Sequence, residues 1–151
     1  MTMRRMSNAA MVALLRSPAH RVVSRSLMAL TVTGRSSGRQ FTFPVQYALD
    51  GGQITVVVGE AARKTWWRNV LEPAPVVMRI RGREVSGIAH VVRDPNEGER
   101  ALAAYARTFP RAARGAGILA ATHGGHADVR ATTALIDRMA IVRIHPTADL
   151  G

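Results

Sequence analysis

From Phe41 to Leu49 the chain alternates, with Phe41, Phe43, Val45, Tyr47 and Leu49 on one side of an extended backbone and Thr42, Pro44, Gln46 and Ala48 on the other. Side chains of a strand point alternately to its two faces, so this pattern predicts a strand with one buried face. Asp50-Gly51-Gly52 follows, a sequence suited to the positive-φ positions of a tight hairpin, and leads into the apolar run Ile54 to Val58. Upstream, Leu27 to Val32 reads as another strand. Val76 to Ile80, a turn at Arg81-Gly82-Arg83, and Val85 to Val92 predict a second hairpin, and Ala140 to Ile144 a last strand halted by Pro146.

Helical period is scarcer. Met11, Leu14, Leu15, Val22 and Val23 recur loosely among Arg16, Arg21 and Arg25, and Pro18 divides them into one short helix and a second turn or helix. Ala61 to Leu71 has helix composition and is stopped by Glu72-Pro73, because the residue before proline avoids the α region. Asp94-Pro95-Asn96-Glu97 offers an N-cap, a proline at the first helical position and an acid three residues after the cap. Leu102, Tyr105 and Phe109 give that helix a buried face, and Pro110 ends it. Residues 111–131 are rich in Ala, Gly and Arg without a period and predict a loop or mobile cover, with a short helix at 135–139 after it. Many short strands with few helices predict a mainly β, α+β fold, a small antiparallel barrel and not βαβ winding. The expected organisation is an N-terminal helical segment at 1–26 and a barrel domain at 27–151.

Composition narrows the chemistry. A chain of 151 residues buries about two thirds of its unfolded surface and requires no structural crutch. The absence of cysteine excludes disulfides, thiolate metal sites and a Cys nucleophile, and a reducing cytoplasm is the expected compartment. The longest apolar run, Ala9 to Leu15, falls short of the roughly 18 residues of a spanning helix and lacks the cleavage site of a signal peptide. Net charge is +11 and Lys64 is the only lysine among 21 basic residues. Such charge points to an anionic partner, whether nucleic acid, anionic lipid or a phosphorylated cofactor. Nucleic acid is not expected, because the few Phe, Trp and Tyr fall mostly at core positions and leave no stacking platform. The N-terminal basic segment could still meet an anionic membrane.

Two stretches carry candidate chemistry. Gly34-Arg-Ser-Ser-Gly-Arg39 combines glycines that expose backbone N–H groups, two hydroxyls and two guanidiniums, the donors an oxyanion needs. It lacks the spacing and terminal Lys-Ser/Thr of a P-loop, and it enters a strand where a nucleophile elbow would enter a helix. In Lys64-Thr-Trp-Trp-Arg-Asn69, adjacent tryptophans on a helix point about 100° apart, so one faces the core and the other is free to cover a ligand or strand. His123 and His126 with Asp128 lack an established metal geometry, and His20, His90 and His145 read as isolated structural or surface histidines, so no metal site is expected.

Taken together, Thr31-Val-Thr-Gly-Arg-Ser-Ser-Gly-Arg39, the Pro44 strand, the Asp50-Gly51 hairpin and Lys64-Thr-Trp-Trp-Arg-Asn-Val70 resemble the deazaflavin-dependent nitroreductase family over about residues 20–92. The resemblance implies a split β-barrel related to barrels that bind flavin mononucleotide (FMN). It also implies coenzyme F-420 as hydride source and a quinone or nitroaromatic as small-molecule acceptor. By position, it implies that Arg35, Ser36, Ser37 and Gly38 bind the coenzyme's phosphate and acidic tail, and that Pro44 and Val45 line the deazaflavin ring. Val58, Gly59 and Lys64 would touch the ring or its polar edge, while Trp67 and Asn69 would support the pocket. No obligatory acid or base is implied, and Tyr47 and Tyr105 both remain open as proton donors. Ser36 and Phe41 stand where the family often carries basic residues, which leaves open a shorter anionic cofactor, or none; the alternative reading is a split barrel that binds FMN or another small anion without this activity. A basic binding module for lipid or nucleic acid is a further alternative, and monomer and homodimer are both open.

Overall fold

The computed structural model describes residues 8–16, 26–59, 61–115, 118 and 138–150. Seven strands, Leu27–Thr33 (β1), Gln40–Gln46 (β2), Ala48–Asp50 (β3), Gln53–Val58 (β4), Ala74–Ile80 (β5), Arg83–Val91 (β6) and Ala140–Pro146 (β7), form one sheet in the order β2-β1-β5-β6-β7-β4-β3. Every pairing is antiparallel.

The alternating stretch from Phe41 to Leu49 is two strands instead of one. Only Tyr47 separates β2 from β3, yet they stand at opposite ends of the strand order. Six strand spacings in a flat sheet would hold those ends about 29 Å apart, whereas one residue spans about 3.5 Å. The sheet must therefore curl until its ends meet, which makes it a barrel. The break falls where β1 runs out: Leu27 is the last partner of β2, opposite Gln46, and the Tyr47 N–H turns to the carbonyl of Ser26 at 3.1 Å. The inward face survives the break, since Phe43, Val45, Tyr47 and Leu49 all pack on the barrel core. Phe41 does not share it. It is 43% exposed, and its ring lies over Gly34, where an added Cβ would come within 3.3 Å of it.

Inside the barrel, Met28, Leu30, Ile54, Met78, Val142 and Ile144 form the main core. Outside it, helix α2 (Pro95–Thr108) and helix α3 (Pro110–Gly115) bury Leu102, Tyr105 and Ala113 against Ile141 and Val57, and Ile118 joins the same cluster. Alternate residues of β7 thus serve the two cores. On the other flank, helix α1 (Asn8–Arg16) rests Val12 on Ala29, with Met11 and Leu27 beside them. Val12 and Met11 of this helix are thus engaged by the sheet. Among the described residues, no helix is long and apolar enough to cross a membrane.

Local signals explain most boundaries. Gly51 and Gly52 adopt positive φ, 56° and 83°, as the β3–β4 turn requires. Asp94 caps α2 by accepting from the Asn96 N–H at 3.2 Å, and Pro95 occupies the first turn. Two further expectations are corrected. The helix expected over 61–71 shrinks to one 3₁₀ helix, Trp66–Val70, preceded by a turn at Ala61–Arg63. Thr65 makes no side-chain cap there, and the Trp67 Nε1–H folds back onto the Ala61 carbonyl at 2.9 Å, which holds those residues in a turn. Pro110 ends α2 but also opens α3, so residues 111–115 are helical where a loop was expected; proline is tolerated at a first helical position. The rest of 119–137, including His123, His126 and most of the short helix expected at 135–139, lies outside the described residues.

Candidate active site

The curl leaves a seam. β3 pairs with β4 only over Gln53–Thr55, so Val56–Val58 keep β7 on one side alone. β2 is bonded only to β1. Across the gap between these two edges lies a cleft of about 450 Å³, lined by Pro44, Val45 and Gln46 on one side and Val56, Val57, Val58 and Gly59 on the other. That volume falls within the range of small-molecule and cofactor sites. Pro44 is tolerated because an edge strand can dispense with one N–H. Edge strands also carry backbone donors and acceptors that the sheet does not use. The cleft therefore combines apolar walls with a polar backbone rim, suited to a flat heteroaromatic ring.

Lys64 and Trp66 also line the cleft, as do Met11 of α1, Leu27 of β1 and Tyr105 of α2. Trp66 is braced by Phe43, with ring centroids 5.0 Å apart. Trp67 does not line the cleft. Its indole bond to Ala61 steadies the turn that leads to Lys64, and the Arg68 guanidinium sits 5.5 Å over its ring.

The Gly34–Arg39 turn is closed by Gly34 N–H to the Arg39 carbonyl at 2.7 Å and Gly38 N–H to the Gly34 carbonyl at 2.8 Å. Arg35, Ser36, Ser37, Gly38 and Arg39 are all exposed. Asn69 ties this turn to the 3₁₀ helix: its Oδ1 accepts from the Arg35 N–H at 3.1 Å, while its Nδ2 donates to the Trp66 carbonyl at 3.1 Å. Two motifs far apart in sequence are thus one piece of structure.

Of the sequence-derived residues, Pro44, Val45, Val58, Gly59 and Lys64 line the cleft, Arg35 to Gly38 form the exposed turn, and Asn69 and Trp67 brace these parts. Trp66, Gln46, Met11 and Leu27 were not singled out as site residues, although Gln46 and Trp66 neighbour ones that were. Between the two tyrosines the structure discriminates. Tyr105 borders the cleft, and burial raises its phenol above the ordinary value. Tyr47 is buried in the core with its phenol bonded to Arg81; burial raises it too, outweighing the arginine, which lowers it.

A sheet curled until its ends meet, open along one seam with a cleft of cofactor size, defines a split β-barrel of the flavin-binding kind. The chain belongs to the F420H(2)-dependent quinone reductase family, which it matches over residues 4–116. It is accordingly a reductase that uses coenzyme F420. Among solved structures it is similar to an F420-H2 dependent reductase (FDR-A), at 18% identity and a TM-score of 0.54, covering 80% of this chain and 93% of that one. A structure described as a domain-swapped dimer matches at 16% identity and a TM-score of 0.54, covering 87% and 96%. HutZ, the heme storage protein from Vibrio cholerae, matches at 14% identity and 0.53, covering 95% and 92%. At such identities these likenesses establish the fold. No curated protein matches the chain.

Proposed function

We propose that this reductase delivers its electrons to a quinone-type acceptor in the seam cleft. The coenzyme ring would rest against Pro44, Val45, Val58 and Gly59, with Lys64 at its polar edge and its phosphate on the Arg35–Gly38 turn. Convergence carries the reading: residues from both sides of the seam line one cleft, and the turn with anion-binding chemistry is bonded to the helix that follows Lys64. The residues present fit the group, since the cleft joins apolar walls to a polar backbone rim and the turn offers hydroxyls and guanidiniums.

Reduced coenzyme, when bound, supplies a hydride. The chain's task is to bind, orient and exclude water. The strand edges fix the plane of the ring, and Trp66 and Met11 shield the cleft from solvent. Reduction of a quinone to a hydroquinone consumes one hydride and one proton. Tyr105 borders the cleft as a neutral phenol, placed to donate a hydrogen bond to an acceptor oxygen, and solvent can supply the proton.

Titrating the protein with F420 and following coenzyme fluorescence tests the binding half, and anaerobic oxidation of the reduced coenzyme by menadione against a nitroaromatic tests the acceptor. Saturable quenching and faster turnover with the quinone are expected. Absence of quenching at high micromolar protein would overturn the placement of the coenzyme, and preference for the nitroaromatic would overturn the acceptor.

A further inference from the structure

The two histidines read as isolated in the sequence are neighbours in the fold. His90 on β6 and His145 on β7 both point away from the barrel core, and His145 stands opposite Ile88, one inter-residue diagonal from His90. Their rings lie nearly parallel, 13° apart in plane with centroids separated by 5.5 Å. Glu97, in the first turn of α2, sends its carboxylate to His90 Nε2 at 2.7 Å. One ligand atom from each of the three residues lies within 4.8 Å of the other two.

We propose that His90, Glu97 and His145 form a Zn²⁺ site on the outer face of the barrel, joining β6 and β7 to the start of α2. Zinc bonds of about 2.1 Å to nitrogen and oxygen set tetrahedral ligand atoms about 3.4 Å apart. The site therefore needs His145 to swing inward by roughly an ångström and the His90–Glu97 contact to open by less than that. His145 is exposed and His90 and Glu97 are half-buried, so one ring is free to move while the other two groups are held by packing. Two imidazoles and one carboxylate suit zinc and similar transition ions and not the oxygen-seeking Mg²⁺ or Ca²⁺. The fourth position is left to water.

Arg143 pairs directly with His90 and would oppose a cation there. Its head is drawn the other way, however: Nε donates to Gln53 at 3.1 Å, Nη1 to Thr55 Oγ1 at 3.1 Å, and Nη2 lies 3.5 Å from the Asp50 carboxylate. None of His90, Glu97 and His145 lines the coenzyme cleft, so the site is distinct from it.

The test uses tag-free, metal-stripped full-length protein titrated with Co²⁺ as a spectroscopic probe and then with Zn²⁺. The expected result is one Co²⁺ per chain with the intense visible bands of a tetrahedral ion, displaced by Zn²⁺, and a higher Tm with zinc. His90→Ala and His145→Ala should each weaken the ion by more than about tenfold while F420 binding is unchanged. The double variant His123→Ala/His126→Ala should keep it. No saturable binding at neutral pH, binding that survives His145→Ala, or binding lost with His123 and His126 would each overturn the proposal.

Discussion

The backbone N–H of Arg35 donates to Oδ1 of Asn69 at 3.1 Å, across 34 residues of sequence. That bond ties the cationic turn after β1 to the 3₁₀ helix after β4, so the presentation of Arg35, Ser36 and Ser37 is linked to a side chain outside the turn. Asn69 completes the link by holding the Trp66 carbonyl.

Removing that link should loosen the anion-binding turn without unfolding the barrel. A hydrogen bond of this kind contributes about 0.5–1.5 kcal/mol, so Asn69→Ala should raise the Kd for F420 about threefold to tenfold. Fluorescence titration measures it, with circular dichroism to show that the fold is retained. An unchanged Kd would mean that the turn holds its shape unaided.

Arg35 and Arg39 are the only cations on the turn, since Ser36 and Phe41 take positions where more charge could stand. Arg35→Ala should weaken F420 binding about tenfold, with most of the loss at low ionic strength, because an exposed guanidinium is screened by salt. Coenzyme with a short glutamate tail should bind as well as coenzyme with a long one. A steep gain in affinity with tail length would show further basic contacts.

Gly87 lies in β6 where the chain passes close beneath β7. A Cβ added there would stand 2.9 Å from the His145 carbonyl and 2.9 Å from Ile144 Cγ2, with Met78 Cε at 3.1 Å. The carbonyl belongs to the ladder and cannot yield cheaply, so Gly87→Ala should destabilise the fold by about 1–3 kcal/mol. A lower urea midpoint with an unchanged slope would register this; an unchanged midpoint would mean that β7 can shift.

Burial raises the Tyr105 phenol above its ordinary value of 10.0, since the charged form is the one that loses hydration. The unfolded chain therefore releases this proton first. The stability that the neutral phenol contributes is complete below about pH 10 and is lost as pH rises from there through the folded-state value. Tm should fall across this window, and Tyr105→Phe, which has no proton to lose, should fall less steeply. Tyr47, raised in the same direction, retains part of the slope in that variant.

Local physics made much of this protein legible from its residues. Alternation over Phe43, Val45, Tyr47 and Leu49 marked the inward face, because side-chain direction depends only on the backbone's own period. Asp50-Gly51-Gly52 and Asp94-Pro95 marked a turn and a helix start, because positive φ and capping are settled within a few residues. The Arg35 turn and the Lys64 to Asn69 segment stood out by composition and by their family resemblance. What alternation cannot reveal is the partner of each edge. It ran unbroken through Tyr47, while the chain crossed there from one end of the strand order to the other; only that crossing curls the sheet, opens the seam between β2 and β4 and brings Tyr105 to its rim. The same reason hid His90, Glu97 and His145 from one another: strand register and helix placement are set by packing across the whole chain, so groups far apart in sequence meet only once the barrel has closed.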